Sequence, residues 1–275
     1  MAERSSEFKQ VKNFLDAKKK LKDIPNLRGP QTTILLGLMT VMPEEVKSSG
    51  ILENPQRLAV IGAIVNYQVG LNDRLDFEGA KRKDISDLTQ EAQNREVSAR
   101  AELDATLINL PEPESKHVKE SINLAVEEIE FIEKWIREKR DNNTIDFSSI
   151  DTYRNLVNAI INVTTTSIIF GREKLSPEKQ PNDNKKTTIE DLADKYAWVM
   201  GNNPPNNAKR AVMIMHNIAM AAQIVDDWHG RNIDELLNIP SYASGALKMA
   251  ENDKLAAKAI LKRKRDDYKA KARAL

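Results

Sequence analysis

The chain has 275 residues, of which 40% are hydrophobic, with 42 basic and 41 acidic side chains and a formal net charge of +1. That balance lacks the basic excess of a nucleic-acid-binding domain, so no nucleic-acid partner is expected. The absence of cysteine excludes disulfide scaffolds, thiolate metal sites and a cysteine nucleophile.

The first residues, MAERSSEFKQVKNF, are polar and charged and do not read as a secretory signal. A basic amphipathic helix is predicted over Ser6–Lys22. Pro25 and Pro30 then bracket a loop, and a second helix covers Thr32 to Lys47. The longest apolar run, near Ile34 to Met42, is far shorter than the ~20 residues that a spanning helix needs, so a soluble, cytoplasmic protein is expected. A third helix starts near Asn54, with Pro55 suited to its first turn, and runs to about Arg82. A fourth spans Asp84 to Leu110 and is stopped by Pro111 and Pro113. A long charged helix follows from Glu114 to about Arg140. The next, Ser149–Phe170, is the most apolar, with Gly171 as its C-cap.

Residues Ser176 to Lys186 are rich in Pro, Asn and Lys and read as a mobile loop. A helix from Thr188 to Met200 takes Thr187 or Thr188 as its cap, with acidic residues in its first turn. After a break over Asn202–Asn207 comes a long helix to Leu237, ended by Pro240. One or two further helices follow, the last rich in Lys and Arg. No alternating apolar–polar segment reads as a strand. The expectation is an all-α chain: a single domain over residues 1–275, built as a bundle of about nine or ten helices. Its core spans about residues 32–275, and the helix over 6–22 is peripheral or a lid.

Two of these helices carry acidic clusters after long apolar stretches. The third bears Gln68, Asn72, Asp73 and Asp76, three or four residues apart and so able to share a face. The long late helix bears Gln223, Asp226, Asp227, Arg231 and Asp234, with Gln223 and Asp227 four apart and Asp234 two turns on. Carboxylate clusters on otherwise buried helices are costly unless paired or bound to metal, and hard oxygen donors select Mg²⁺. Either cluster alone is an ordinary solvated helix surface; the matched pair points to metal.

Asn72-Asp73-Arg74-Leu75-Asp76 is similar to the DDxxD motif of the class I isoprenoid synthase superfamily, with Asn in place of the first Asp. Gln223-Ile224-Val225-Asp226-Asp227-Trp228-His229-Gly230 is similar to the second motif of prenyl synthases, with Gly in place of the last Asp. The stretch from Arg231 to Pro240 resembles the region after that motif in phytoene-type enzymes. The resemblance spans about Leu58 to Tyr268. It implies a helical bundle around a central cavity, Mg²⁺ as cofactor, and a prenyl diphosphate as substrate. By the same resemblance, Asn72, Asp73, Asp76, Asp226, Asp227 and Asp234 hold metal, with Asp73, Asp76, Asp226 and Asp227 at the centre of catalysis. Gln68, Gln223 and Arg231 then face the diphosphate, while Tyr67, Phe170 and Trp228 wall the cavity and shield a carbocation. A homodimer would also suit the superfamily.

The first 50 residues carry no basic motif of the isopentenyl diphosphate site, which favours a terpene synthase over a chain-elongating or head-to-head prenyltransferase. Two other readings stay open. One is a helical metal-dependent nucleotide phosphohydrolase. The other is a non-catalytic helical scaffold, a reading that the basic first and last helices also fit; those helices would equally suit lids or contact with an anionic membrane surface. Arg154, Arg172, Lys209 and Arg210 are further diphosphate candidates, each better placed by its sequence on a solvated surface. The run Thr164-Thr165-Thr166 suggests a bend in its helix. His216 and His229 read as core or surface residues.

Overall fold

The computed structural model describes residues 2–23, 35–40, 42–80, 86–112, 114–170, 188–199 and 207–275. The expectations for the Pro25–Pro30 loop, Arg172, Gly171, the Ser176–Lys186 loop and the break from Asn202 lie outside the described residues. Among those residues every regular element is helical and there is no strand, as expected of an all-α chain. In chain order they are α1 (Ala2–Lys22), α2 (residues 35–40), α3 (Pro43–Ser48), a 3₁₀ turn (Ile51–Glu53), α4 (Pro55–Ala80), α5 (Ser86–Leu107), α6 (Glu114–Asp141), α7 (Phe147–Phe170), α8 (Ile189–Val199), α9 (Asn207–Leu237), α10 (Tyr242–Met249) and α11 (Lys254–Ala274).

The helix expected over Thr32–Lys47 is two helices. Pro43 has no N–H and holds the residue before it out of the helical region, and Met42 accordingly sits at φ −133°. Elsewhere the ends follow local chemistry. Asp146 Oδ1 accepts from Ser149 N at 2.7 Å and starts α7 two residues earlier than expected. Thr188 and Asp191 cap α8 reciprocally, each side chain accepting from the other's backbone N–H at 3.1 Å. Helix α9 ends at Leu237, as expected: Asn238 adopts a left-handed φ of 56° ahead of Pro240, and Ile239 N donates to Asp234 O at 2.8 Å.

On α6 the buried residues Val118, Ile122, Ala125, Ile129, Ile132 and Ile136 recur every three or four positions and make one apolar stripe. Burying each large aliphatic side chain contributes roughly 1.5–3 kcal/mol. Helix α7 is buried on nearly every side and touches α4, α6, α8, α9 and α10. Thr164, Thr165 and Thr166, towards its C-terminal end, donate to carbonyls four residues back, at 2.9, 2.9 and 2.6 Å, and the helix runs unbroken through them. Helices α4 and α5 form the most extensive pair. Gly70 permits their approach, because a Cβ there would lie 3.0 Å from Glu96 Cα. Helix α11 lies along α9 and is fastened to α7 by Asp151, which accepts from Tyr242 Oη at 2.7 Å and from Lys264 Nζ at 2.8 Å. No helix among the described residues is long and apolar enough to cross a membrane.

Candidate functional site

Helices α4 and α9 both pack against α7, and both pass from apolar to polar along their length. Their polar halves meet around one buried cation, Arg154 of α7, which is 5% exposed. Arg154 Nη2 lies 3.5 Å from Asp227 Oδ1, and the guanidinium stands 5.1 Å over the Tyr153 ring. It also donates to the carbonyl of Pro240 at 3.4 Å. Sequence reasoning favours a solvated surface for Arg154, and the structure overturns this. A guanidinium can enter a helix core when several carboxylates surround it, and here Asp76, Glu133, Asp227 and Asp234 all act on it or are acted on by it.

Each carboxylate reaches the cluster from a different position. Asp227 is 3% exposed: its Oδ1 accepts from Gln223 Nε2 and its Oδ2 from the backbone N–H of Tyr242, each at 2.6 Å. Asp76 accepts from Asn72 Nδ2 at 3.1 Å, one helical turn back. Glu133 of α6 is buried and accepts from Tyr153 Oη. Asp234 is half-buried and accepts from Ser241 at the start of α10.

Four carboxylates crowd around Arg154, with Arg137 and Arg140 also acting on Glu133, and the protonation equilibria reflect that crowding and its burial. Asp76 is pushed up to about 8, first by burial and then by Glu133, with Arg154 pulling the other way. Asp234 rises to about 6, again chiefly through burial, with Asp227 and Asp226 adding to it. Burial also raises Glu133, opposed by its bond from Tyr153. Burial works against the charge of Arg154, and the carboxylates around it, Asp227 foremost, keep it protonated.

The atoms that Asp76 and Asp234 offer are carboxylate oxygens, the donor type that a hard divalent ion takes. Asp227 has both oxygens engaged by protein donors. Among the described residues, no three His, Cys, Asp or Glu side chains already stand together as an ion-holding group. Two buried polar atoms at and below the cluster have no partner: Arg154 Nε, and Oε1 of Gln68 one turn before Asn72.

The remaining expected residues distribute more widely. The shared face expected of Gln68, Asn72, Asp73 and Asp76 fails at Asp73, which pairs instead with Arg95 of α5 at 2.5 Å. Opposite charge on the neighbouring helix draws it away. Asp226 is exposed and lines a groove between α9 and α11 that also includes Gln223 and His229. Tyr67 and Phe170 belong to one apolar cluster with Ile64 and Met215. Trp228 belongs to another, packed with α10 and α11, and Arg231 stacks on it at 4.6 Å while donating to its carbonyl at 2.7 Å. His216 is buried and His229 exposed, in keeping with their reading as core or surface residues. Lys209 and Arg210 sit at the start of α9, far along the helix from Asp227, and Lys209, expected on a solvated surface, is instead buried where that helix packs.

Sequence reasoning missed Glu133, Tyr153 and Tyr242. The signal for Glu133 was present, since it falls four residues after Ile129 and three before Ile136, on the apolar stripe of α6. A lone carboxylate on such a stripe needs a buried partner.

Comparison of the chain with family models, with curated proteins and with solved structures finds no match in any of the three.

Proposed function

We propose that this chain is a Mg²⁺-dependent enzyme that ionises a prenyl diphosphate, of the terpene synthase kind. The observation that supports this most is the convergence of Asn72 and Asp76 from α4 with Asp227 and Asp234 from α9 on one guanidinium. Two motifs far apart in sequence thereby serve one polar centre. Asn72, Asp76 and Asp234 keep partial solvent access, while Arg154, Asp227 and Glu133 lie buried behind them. A polyanion with its cations can therefore approach the front row, while the rear row holds it in register.

Mg²⁺ bound at Asp76 and Asp234 would neutralise charge on the departing diphosphate. Asn72 orients Asp76, and Gln223 orients Asp227. Arg154 supplies a fixed positive potential behind them. Tyr67, Ile64 and Met215 are closely packed in one apolar cluster, and on this reading they would part to shield an allylic cation. Prenyl transfer begins with the same ionisation and diverges only in the fate of the cation.

A second reading is favoured by the engagement of Asp227, both of whose oxygens are held by protein donors. On that reading the cluster is a structural ion network without turnover.

The test is a product assay. Purified protein is incubated with Mg²⁺ and ten-, fifteen- and twenty-carbon prenyl diphosphates, singly and with isopentenyl diphosphate. EDTA and Asp76→Asn samples run alongside, together with a nucleoside triphosphate panel. The proposal expects Mg²⁺-dependent diphosphate release from a prenyl substrate, lost in both controls, and the hydrocarbon formed separates cyclisation from condensation. Release of phosphate or diphosphate from nucleotides alone would support a phosphohydrolase. No release from any substrate would leave the structural network.

A further inference from the structure

Helices α9 and α11 run antiparallel. His216 of α9 meets Tyr268 edge-on at 6.5 Å, and Trp228, further along α9, meets Lys258, further back along α11, at 5.4 Å. Between their outer edges runs a groove of about 990 Å³, within the size range of small-molecule sites. Its α9 wall is apolar: Ile214, Ile218, Ala222 and Val225 recur every three or four residues along one face. Ile218 and Val225 are 43% and 37% exposed, although both are branched aliphatic side chains. Ala219 and Ala222 of α9 and Ala272 of α11 keep the groove open, since each adds only a methyl group to its lining.

Charge is graded along this groove. Because the helices are antiparallel, Lys269 and Arg273 of α11 line the end that holds Ile214 and Ile218, while Asp226 and His229 line the other. Three further cations of α11 are engaged elsewhere. Arg265, also in the lining, bonds Asp266 at 3.0 Å, Lys264 is held by Asp151 at 2.8 Å, and Lys271 stands over the Tyr268 ring. Lys269 and Arg273 make no ion pair among the described residues. Counting Arg265, Lys269 and Arg273 against Asp226 and Asp266, the groove is net cationic by one charge, and its two unpaired cations stand together at one end.

A surplus of one positive charge at the end of an apolar channel discriminates among ligands. A neutral hydrocarbon would leave both cations unused. A diphosphate or another polyanion would bring several negative charges to that small surplus, with Asp226 opposing it. A single carboxylate matches the surplus, and the fork of Arg273 can hold it at two points. A straight chain attached to that carboxylate would run from Ile218 to Val225, roughly 10 Å along α9, and cover the exposed apolar stripe.

We propose that the α9–α11 groove binds a free, straight-chain fatty acid, with its carboxylate at Lys269 and Arg273 and its chain over Ile218, Ala222 and Val225. Lys269 and Arg273 are four residues apart on α11 and so share a face. The site does not rest on the prenyl diphosphate reading, since none of these residues belongs to the Arg154 cluster. One side chain joins the two: Gln223 lines the groove and donates to Asp227 at 2.6 Å, so it stays unchanged in the test.

Equilibrium dialysis against radiolabelled dodecanoate, kept below its micelle threshold, is the test. The proteins are the parent chain, Lys269→Glu/Arg273→Glu, Ala222→Trp and Asp76→Asn, with unlabelled dodecanol as competitor. Lys269, Arg273 and Ala222 are all exposed, and circular dichroism checks each variant's fold. The parent is expected to bind one dodecanoate saturably. Binding is expected to be at least about tenfold weaker in Lys269→Glu/Arg273→Glu, which loses its charge partners, and in Ala222→Trp, whose indole fills the groove. Dodecanol, with the same chain and no charge, is expected to compete at least about tenfold more weakly than dodecanoate itself. Asp76→Asn is expected to bind as the parent does. The absence of saturable binding by the parent overturns the proposal. So does parent-like binding in either groove variant, or dodecanol competing as well as the acid. Loss of binding in Asp76→Asn would put the ligand at the Arg154 cluster and overturn it too.

Discussion

Asp76 is the residue at which site chemistry and stability conflict. Its folded value, about 8, lies above the ordinary value of 3.8. Between those limits the folded chain binds a proton that the unfolded chain has released. The contribution is therefore fully present at low pH and is lost as pH rises from about 4 to about 8. Asn at this position resembles the protonated acid and removes the penalty. Asp76→Asn is expected to be more stable than the parent at pH 8, on the order of a few kcal/mol, with little difference near pH 4. Thermal melts of both proteins across that range check it. Arg154 is the converse case. Replacing it with Met leaves Asp227 buried without its cation, and a loss of about 3–5 kcal/mol is expected in urea unfolding at pH 7. If Arg154→Met unfolds at the parent's midpoint, Arg154 does not hold Asp227 in place.

At the scale of the element, the sequence is legible wherever the chemistry is local. The ends of α6 and α9 follow from proline, asparagine and apolar periodicity read along the chain. Thr188 caps α8 because its partner, Asp191, is only three residues away. Legibility stops where an outcome depends on a neighbouring helix. Asp73 and Asp76 carry the same side chain in the same motif, yet one faces Arg95 of α5 and the other faces Arg154 of α7. Arg154 itself resembled a surface residue because nothing adjacent to it in sequence is acidic except Asp151, which is occupied by Lys264 and Tyr242. Gly70 is similar: its role appears only where α4 meets α5. Gly70→Ala brings a methyl to 3.0 Å of the Glu96 backbone, which has no flexible end to yield. Helix propensity alone predicts a gain of up to about 1 kcal/mol. The close approach is expected to reverse that sign, with a net loss of about 1–3 kcal/mol in denaturant unfolding.

For the whole molecule, the arrangement of four helices around Arg154 is the feature on which the proposed function rests. Helix α7 supplies the cation, α4 and α9 supply the motif carboxylates, and α6 supplies Glu133 behind them. Helix α10 locks the assembly, because the first N–H of that helix is a donor to Asp227. Carboxylates that raise one another's proton affinity are poor structural cement, and a purely structural network gains nothing from retaining Asp76 as an acid. Such a centre makes physical sense if a cation and a polyanion complete it.

The most direct measurement is therefore a pair of readings on one variant: the rate of Mg²⁺-dependent diphosphate release from prenyl diphosphates, and the melting temperature at pH 8, for the parent and Asp76→Asn. The account predicts that release falls at least about a hundredfold while the melting temperature rises, since an interaction needed for turnover and not for folding has been removed. Release at the parent's rate in Asp76→Asn, or a fall in its melting temperature, would contradict it.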